Sequence, residues 1–202
     1  MFINVQNNRI CSLRGEKVKT DMRVFKTKDA LRKALMHLLE QKSLNSISVT
    51  ELCQLAKVNR GTFYAHYGQV ENLFEEYFKT IMKDLADSYQ EPYKHVQHLL
   101  SRNVNPSTIR IFHHIEKYET FYRIVFSKTV PLSYYYLLFD HVQNLIKTDV
   151  SEHYLNGIDI DISMVSAYQA NAILGLAIEW HRQDFKQSAE EMNRLLVRIL
   201  SI

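Results

Sequence analysis

An all-α fold is what this sequence predicts, and three observations predict it. Apolar residues recur at i, i+3, i+4 and i+7 along much of the chain, the period of a helix and not of a strand. Five glycines and three prolines in 202 residues are too few for the many turns of a β-sandwich or barrel. Hydroxyl-x-x-Glu, Asn and Asp signals stand just ahead of several apolar runs, where helices begin.

The elements follow in chain order. Residues 1–22 show no period and read as a disordered basic tail bearing Arg9, Arg14, Lys17 and Lys19. From Lys28 a stripe of Leu31, Ala34, Leu35, Leu38 and Leu39 predicts a first helix, which stops near Gln41–Ser43. Ser48-Val-Thr-Glu51 matches a capping box and opens a short helix with Val49, Leu52, Cys53 and Ala56 on one face. Lys57-Val58-Asn59 reads as a tight turn, with Asn59 placed to cap the next helix, VNRGTFYAHY. Gly68-Gln69 interrupts that helix, and a longer one follows with Leu73, Phe74, Tyr77, Phe78, Ile81 and Leu85.

Asn105-Pro106 marks another start, ahead of Ile109, Phe112 and Ile115. A second short run holds Phe121, Tyr122, Val125 and Phe126, and Pro131 ends it before YYYLLFDHVQNLI. Asp161 caps a long helix from Ile162 to His181. Ser188-Ala-Glu-Glu191 is a second capping box and opens a last helix with Met192, Leu195, Leu196 and Ile199. The domain reading is a tail over 1–22, a helix-turn-helix domain over 23–74 and a helical body over 75–202.

Composition removes several functions. No apolar run approaches the eighteen residues of a membrane span. Cys11 and Cys53 form no CxxC pair, so neither a disulfide framework nor a zinc site is expected, and a reducing cytoplasm is the simplest compartment. Of the nine histidines, His95 and His98 are spaced i, i+3, and His113 and His114 are adjacent. No carboxylate or cysteine completes a ligand set, so no metal is expected. There is no phosphate loop, GxSxG or HExxH, so neither an enzyme nor a cofactor is expected.

Charge is distributed unevenly. Residues 1–68 hold twelve Lys/Arg against five Asp/Glu, and residues 69–202 thirteen against seventeen, together the +3 of the whole chain. A basic N-terminal third on a mildly acidic body is the footprint of a module that meets a polyanion. Two short helices joined by a tight turn, behind an amphipathic helix, make a helix-turn-helix, whose second helix enters the major groove of DNA. Its composition suits that surface. Arg60 can fork onto a guanine edge, Thr62, Tyr64 and His66 can donate to phosphates, Gly61 lets backbone approach closely, and the helix carries no acid. Val58, Phe63 and Tyr67 are assigned to the core.

The stretch SVTELCQLAKVNRGTFYAHYGQVENLF resembles the DNA-binding domain of TetR/AcrR-type bacterial transcriptional regulators, with similarity running from RVFKTKDALRKAL through Phe74. The resemblance implies an N-terminal DNA-binding domain and a C-terminal ligand-binding and dimerisation domain. Position by position it implies that Arg60, Thr62 and Tyr64 contact DNA, that Asn59 and His66 reach phosphate, and that Thr50 touches the backbone. Lys28, at the head of the first helix, and Arg23 before it are further backbone candidates. The chain departs from the family in two places. Lys57 stands where the turn usually has glycine, at a cost of roughly 1 kcal/mol for a left-handed residue with a side chain. Val70 stands where a phosphate-binding lysine usually opens the following helix.

The resemblance also implies a homodimer on a two-fold DNA operator. Its interface is assigned to the last two helices, through Ala172, Gly175, Leu176, Leu195, Leu196 and Ile199, an alternative being a hairpin within one chain. An aromatic-rich middle, with Phe112, Tyr118, Phe121, Tyr122, Phe126, Tyr135, Phe139, Tyr168 and Trp180, suits an apolar small-molecule effector with a few polar handles, although aromatics at helical spacing also build cores. ILGLAIEW, followed by the acidic capping box, resembles a branch that includes regulators of dihydroxyacetone utilisation. The expected function is a cytoplasmic repressor released by an effector. The alternatives are an activator or effector-independent regulator, a helical interaction protein that has lost DNA binding, and, more remotely, a small helical hydrolase.

Overall fold

The computed structural model describes residues 6–90, 109–153 and 161–200. The Asn105-Pro106 start and the His95/His98 pair lie outside them. Among the described residues all regular structure is helical: α1 (Gln6–Leu39), a 3-10 turn (Leu44–Ser46), α2 (Val49–Ala56), α3 (Arg60–Tyr64), α4 (Val70–Gln90), α5 (Ile111–Lys117), α6 (Glu119–Val125), α7 (Ser133–His153), α8 (Ile162–Arg182) and α9 (Ala189–Ile199). The chain divides into two compact units, Met1–Glu75 and Glu76–Ile202.

In the first unit α1 begins at Gln6 and not near Lys28, so it runs through most of the segment read as a tail. No proline interrupts the chain before Pro92, and a helix closes its backbone hydrogen bonds without needing an apolar stripe. Packing starts later, where Leu31, Leu35 and Leu39 are fully buried beside Leu44, Leu52, Phe63, Leu73 and Phe74. Ser48 caps α2 by accepting the Glu51 N–H at 3.2 Å. The other half of the expected capping box is absent, because the Glu51 carboxylate pairs with the Lys42 ammonium instead.

α2 ends in a Schellman motif. Lys57 sits at φ 54°, ψ 39°, the Val58 N–H reaches the Cys53 carbonyl at 3.0 Å and the Lys57 N–H reaches Gln54 at 3.2 Å. The left-handed turn expected at Lys57 is therefore present. Lys57→Gly should relieve about 1 kcal/mol of strain and add somewhat less to the freedom of the unfolded chain. The net expectation is about 0.5 kcal/mol of added stability, read as a higher urea midpoint at unchanged m.

In the second unit α8 packs along α7, and α9 packs against α5. The last two helices are not each other's main partners, contrary to the hairpin considered from sequence. Specific polar contacts fix both pairings. Gln143 donates to the Ser163 carbonyl at 3.1 Å and Lys147 to Ser163 Oγ at 3.0 Å. Glu116 accepts the Ala189 N–H at 3.0 Å, and Asn193 donates to the Ile109 carbonyl at 3.1 Å. Asp161 and Ser188 cap α8 and α9 as expected, the latter in a complete capping box.

The core of this unit is aromatic. Phe112 meets Trp180 edge to face at 5.9 Å, and Phe121 contacts Phe78 and Tyr122. After α8 the chain turns through two left-handed residues, Asp184 (φ 59°) and Phe185 (φ 51°). Arg123 holds both: it pairs with Asp184 at 2.7 Å and lies 4.8 Å above the Phe185 ring, which also packs 5.0 Å from Trp180.

A buried polar pair interrupts the aromatic packing. His114 Nδ1 lies 2.9 Å from the Tyr122 hydroxyl, while Nε2 faces Asp84 at 3.3 Å, and Asp84 also holds Lys117. Burial pushes the His114 imidazole down to about 4, with Asp84 opposing the shift. The unfolded chain, with an ordinary histidine, takes up a proton that the folded chain refuses. This contribution is complete above about pH 6.5 and is lost as pH falls toward 4. Between pH 6 and 4.5 stability should fall by about 1.4 kcal/mol per unit from this group. Urea unfolding across that range should show a component of the slope that His114→Asn removes.

Candidate nucleic-acid interface

The face expected to read DNA is built by two caps and a buried anchor. Asn59 Oδ1 accepts the Gly61 N–H at 2.9 Å and starts α3, while its amide NH2 stays available as a donor. Phe63 is fully buried and Tyr67 nearly so, with rings 5.6 Å apart, and they fix the rotation of α3 about its axis. Val58, expected in the core with them, is only half-buried. With that rotation Asn59, Arg60, Gly61, Thr62 and Tyr64 are exposed, and Thr50 at the start of α2 is exposed as well. Tyr64 is 51% exposed although its ring touches Phe63 edge-on at 5.6 Å.

The helix is shorter than the quoted stretch suggested. α3 closes at Tyr64, and Ala65 and His66 form a turn, so His66 is half-buried beside Tyr67 and lies off the helix. Lys28 is not at the head of the first helix. It lies well inside α1, half-buried, with its ammonium 5.4 Å above the Tyr67 ring.

Electrostatically the surface suits an anion. Glu51 is the one acid in α2 and α3, and Lys42 neutralises it. Arg60 makes no hydrogen bond or ion pair among the described residues, so its guanidinium is free to fork. At Gly61 an added Cβ would find only Asn59 Oδ1 at 3.5 Å, so the chain's own packing does not demand glycine there. Val70 is 3% exposed and belongs to the core of this unit, and its side chain carries no donor for a phosphate. Cys53 lies on the buried face of α2, and burial pushes its thiol up, marking it as inert.

The residues expected to line an effector pocket scatter. Phe112, Phe121, Tyr122 and Trp180 fill the core, Phe112 against Trp180 and Phe121 against Tyr122. Tyr118 and Phe139 are half-buried, and Tyr168 stands 76% exposed on α8. Phe126 and Tyr135 do border a cavity, an open cleft of about 600 Å³. Sequence reasoning missed its other walls, Val125, Val130, Leu132 and Ile178, and its cations, Lys128 and Arg182. The cleft joins the end of α6 to the end of α8, some fifty residues on, and no local pattern connects those segments.

Of the expected dimer residues, Ala172, Gly175, Leu195 and Ile199 are exposed and Leu176 is half-buried, but Leu196 turns into the core of its own unit. Among the described residues there is no cluster able to hold a metal and no helix long and apolar enough to cross a membrane.

Comparison with known proteins agrees with this architecture. Residues 102–201 match the TetR-type family model described as the transcriptional regulator C-terminal region. A 75-residue stretch, 37% of this chain, is 28% identical to the uncharacterized HTH-type transcriptional regulator YxbF of Bacillus subtilis (strain 168), and it spans only 20% of that relative's length. Among solved structures, the fold is similar to a TetR transcriptional regulator from Streptococcus agalactiae 2603V, with TM-score 0.61, 21% identity and coverage of 91% of this chain and 98% of that one. It is also similar to the dihydroxyacetone kinase operon activator DhaS, with TM-score 0.60, 19% identity and coverage of 86% and 93%. A third is NalD, the secondary repressor of the MexAB-OprM multidrug efflux pump in Pseudomonas aeruginosa, with TM-score 0.60, 18% identity and coverage of 87% and 94%. At these identities the structural likeness is one of fold. The all-helical fold and the matched C-terminal region define a transcriptional regulator. The chain belongs to the TetR-type family of these regulators.

Proposed function

We propose that the chain is a cytoplasmic homodimer that reads a two-fold DNA operator and represses transcription until a small-molecule effector releases it. One observation carries the reading. The α2–α3 face is solvent-exposed, its one acid is neutralised, and it presents an unpartnered Arg60 among Thr50, Asn59, Thr62 and Tyr64. Dimerisation is supported by an apolar stripe on α8, where Met164 is 71% exposed in line with Tyr168, Ala172 and Gly175, and by exposed Leu195 and Ile199 on α9 with Leu200 just beyond its end. An added Cβ at Gly175 would meet nothing within 4 Å, so the space beside it is open for a partner.

The test is selection of randomised duplex DNA by the purified chain. Enrichment of a two-fold motif, weakened by salt, supports the reading, because half-site symmetry mirrors protein symmetry. A folded dimer that enriches nothing sinks it. An activator is the second reading, favoured by the fold likeness to DhaS and by the ILGLAIEW stretch. A reporter carrying the selected motif separates the two by the sign of its response.

A further inference from the structure

The cleft at the ends of α6 and α8 combines apolar walls with polar groups that the chain leaves unused. Val125, Phe126, Val130 and Ile178 supply the walls. Lys128 and the Tyr135 hydroxyl make no hydrogen bond or ion pair among the described residues. Arg182 has only a long contact to Glu179, at 3.5 Å between two exposed side chains. No acidic residue lines the space, and the nearby Asp184 is held by Arg123 at 2.7 Å. Burial pushes the Tyr135 phenol up, so it remains a donor at neutral pH. About 600 Å³ falls inside the range of small-molecule sites, roughly 300–1,000 Å³.

We propose that this cleft binds an organic anion with an apolar body, its carboxylate meeting Lys128 and Arg182 and its body lying along Val125, Phe126, Val130 and Ile178. The proposal rests on the effector-responsive reading above and places the effector here, away from the packed aromatic core. A neutral ligand would leave Lys128 without a counter-charge and Arg182 with only its 3.5 Å contact to Glu179, and a cationic one would be repelled. The position also has a consequence for response. Arg182 lies seven residues beyond Gly175, on the same side of α8 as the exposed apolar stripe, so a bound anion adjoins the helix face proposed for dimerisation.

Calorimetric titration of the full chain with octanoate tests the proposal, with 1-octanol and octylamine as neutral and cationic analogues and 1-naphthoate as an aromatic body on the same head group. One carboxylate per chain is expected, bound at least tenfold more tightly than the alcohol or the amine. Lys128→Ala/Arg182→Ala should weaken it at least tenfold with no change in the melting temperature, because both side chains are exposed. Equal affinity for the three head groups, an unaffected double variant, or no binding of either carboxylate overturns the proposal; the last includes a second copy of the chain filling the cleft. The same preparations pass through the DNA selection, which separates the two readings. Anion binding without an enriched motif leaves the cleft and removes the regulator, and an enriched motif without anion binding does the reverse.

Discussion

Arg60→Ala/Tyr64→Ala should lower affinity for the selected operator at least 100-fold while leaving the fold intact. A bidentate arginine–guanine pair is worth about 1–3 kcal/mol, and a two-fold complex contains two of them. In the proposed complex Tyr64 donates to a phosphate without neutralising it, so its loss should weaken binding and leave the slope of log affinity against log salt to the lost Arg60 charge alone. Both side chains are exposed, and the edge contact of Tyr64 on Phe63 is the packing lost, worth about 1 kcal/mol. Fluorescence anisotropy on the selected duplex, at two salt concentrations and beside a thermal melt, measures all three quantities. An operator affinity within threefold of the parent would show that α3 does not read bases.

Trp180→Ala should be the most destabilising single substitution in the second unit, costing about 4–5 kcal/mol. The side chain is 2% exposed, packs on Phe112 and Phe185, and donates its indole N–H to the Gln187 carbonyl at 3.0 Å. Removing it opens a cavity, frees that carbonyl and takes away one support of the left-handed corner. Domains of this kind are commonly stable by only about 5–15 kcal/mol, so the unit would sit near unfolding at ambient temperature. Urea denaturation followed by circular dichroism gives the value, since the chain's sole tryptophan is lost in the variant. A loss under 1 kcal/mol would mean that the aromatic core is not where this unit's stability lies.

Helix positions were legible in the sequence wherever a short-range rule governs them. Asn59, Asp161 and Ser188 cap helices, Lys57 is left-handed, and Leu31, Leu35, Leu39, Leu73 and Phe74 are buried, each from a pattern within a few residues. The face of α3 was legible too, because Phe63 and Tyr67 fix which side turns inward. Partner choice was not. An apolar stripe shows that a helix face is covered but not by what, so the α7–α8 and α5–α9 pairings had no sequence signature. For the same reason Phe112, Phe121, Tyr122 and Trp180 could be read as pocket wall when they are core. The early half of α1 was missed because it carries no stripe, and the Lys42–Glu51 pair because a carboxylate at a helix start has two available uses.

The corner at Asp184 and Phe185 sets how α8 and α9 can move. A glycine corner would be a joint, free to sample many angles at little strain. Here two residues with side chains occupy the left-handed basin, where neighbouring angles are sterically closed, and Arg123 clamps both. The segment is thus a bracket. The direction in which the chain leaves α8 is therefore set rigidly, and only residues 186–188 separate the corner from α9.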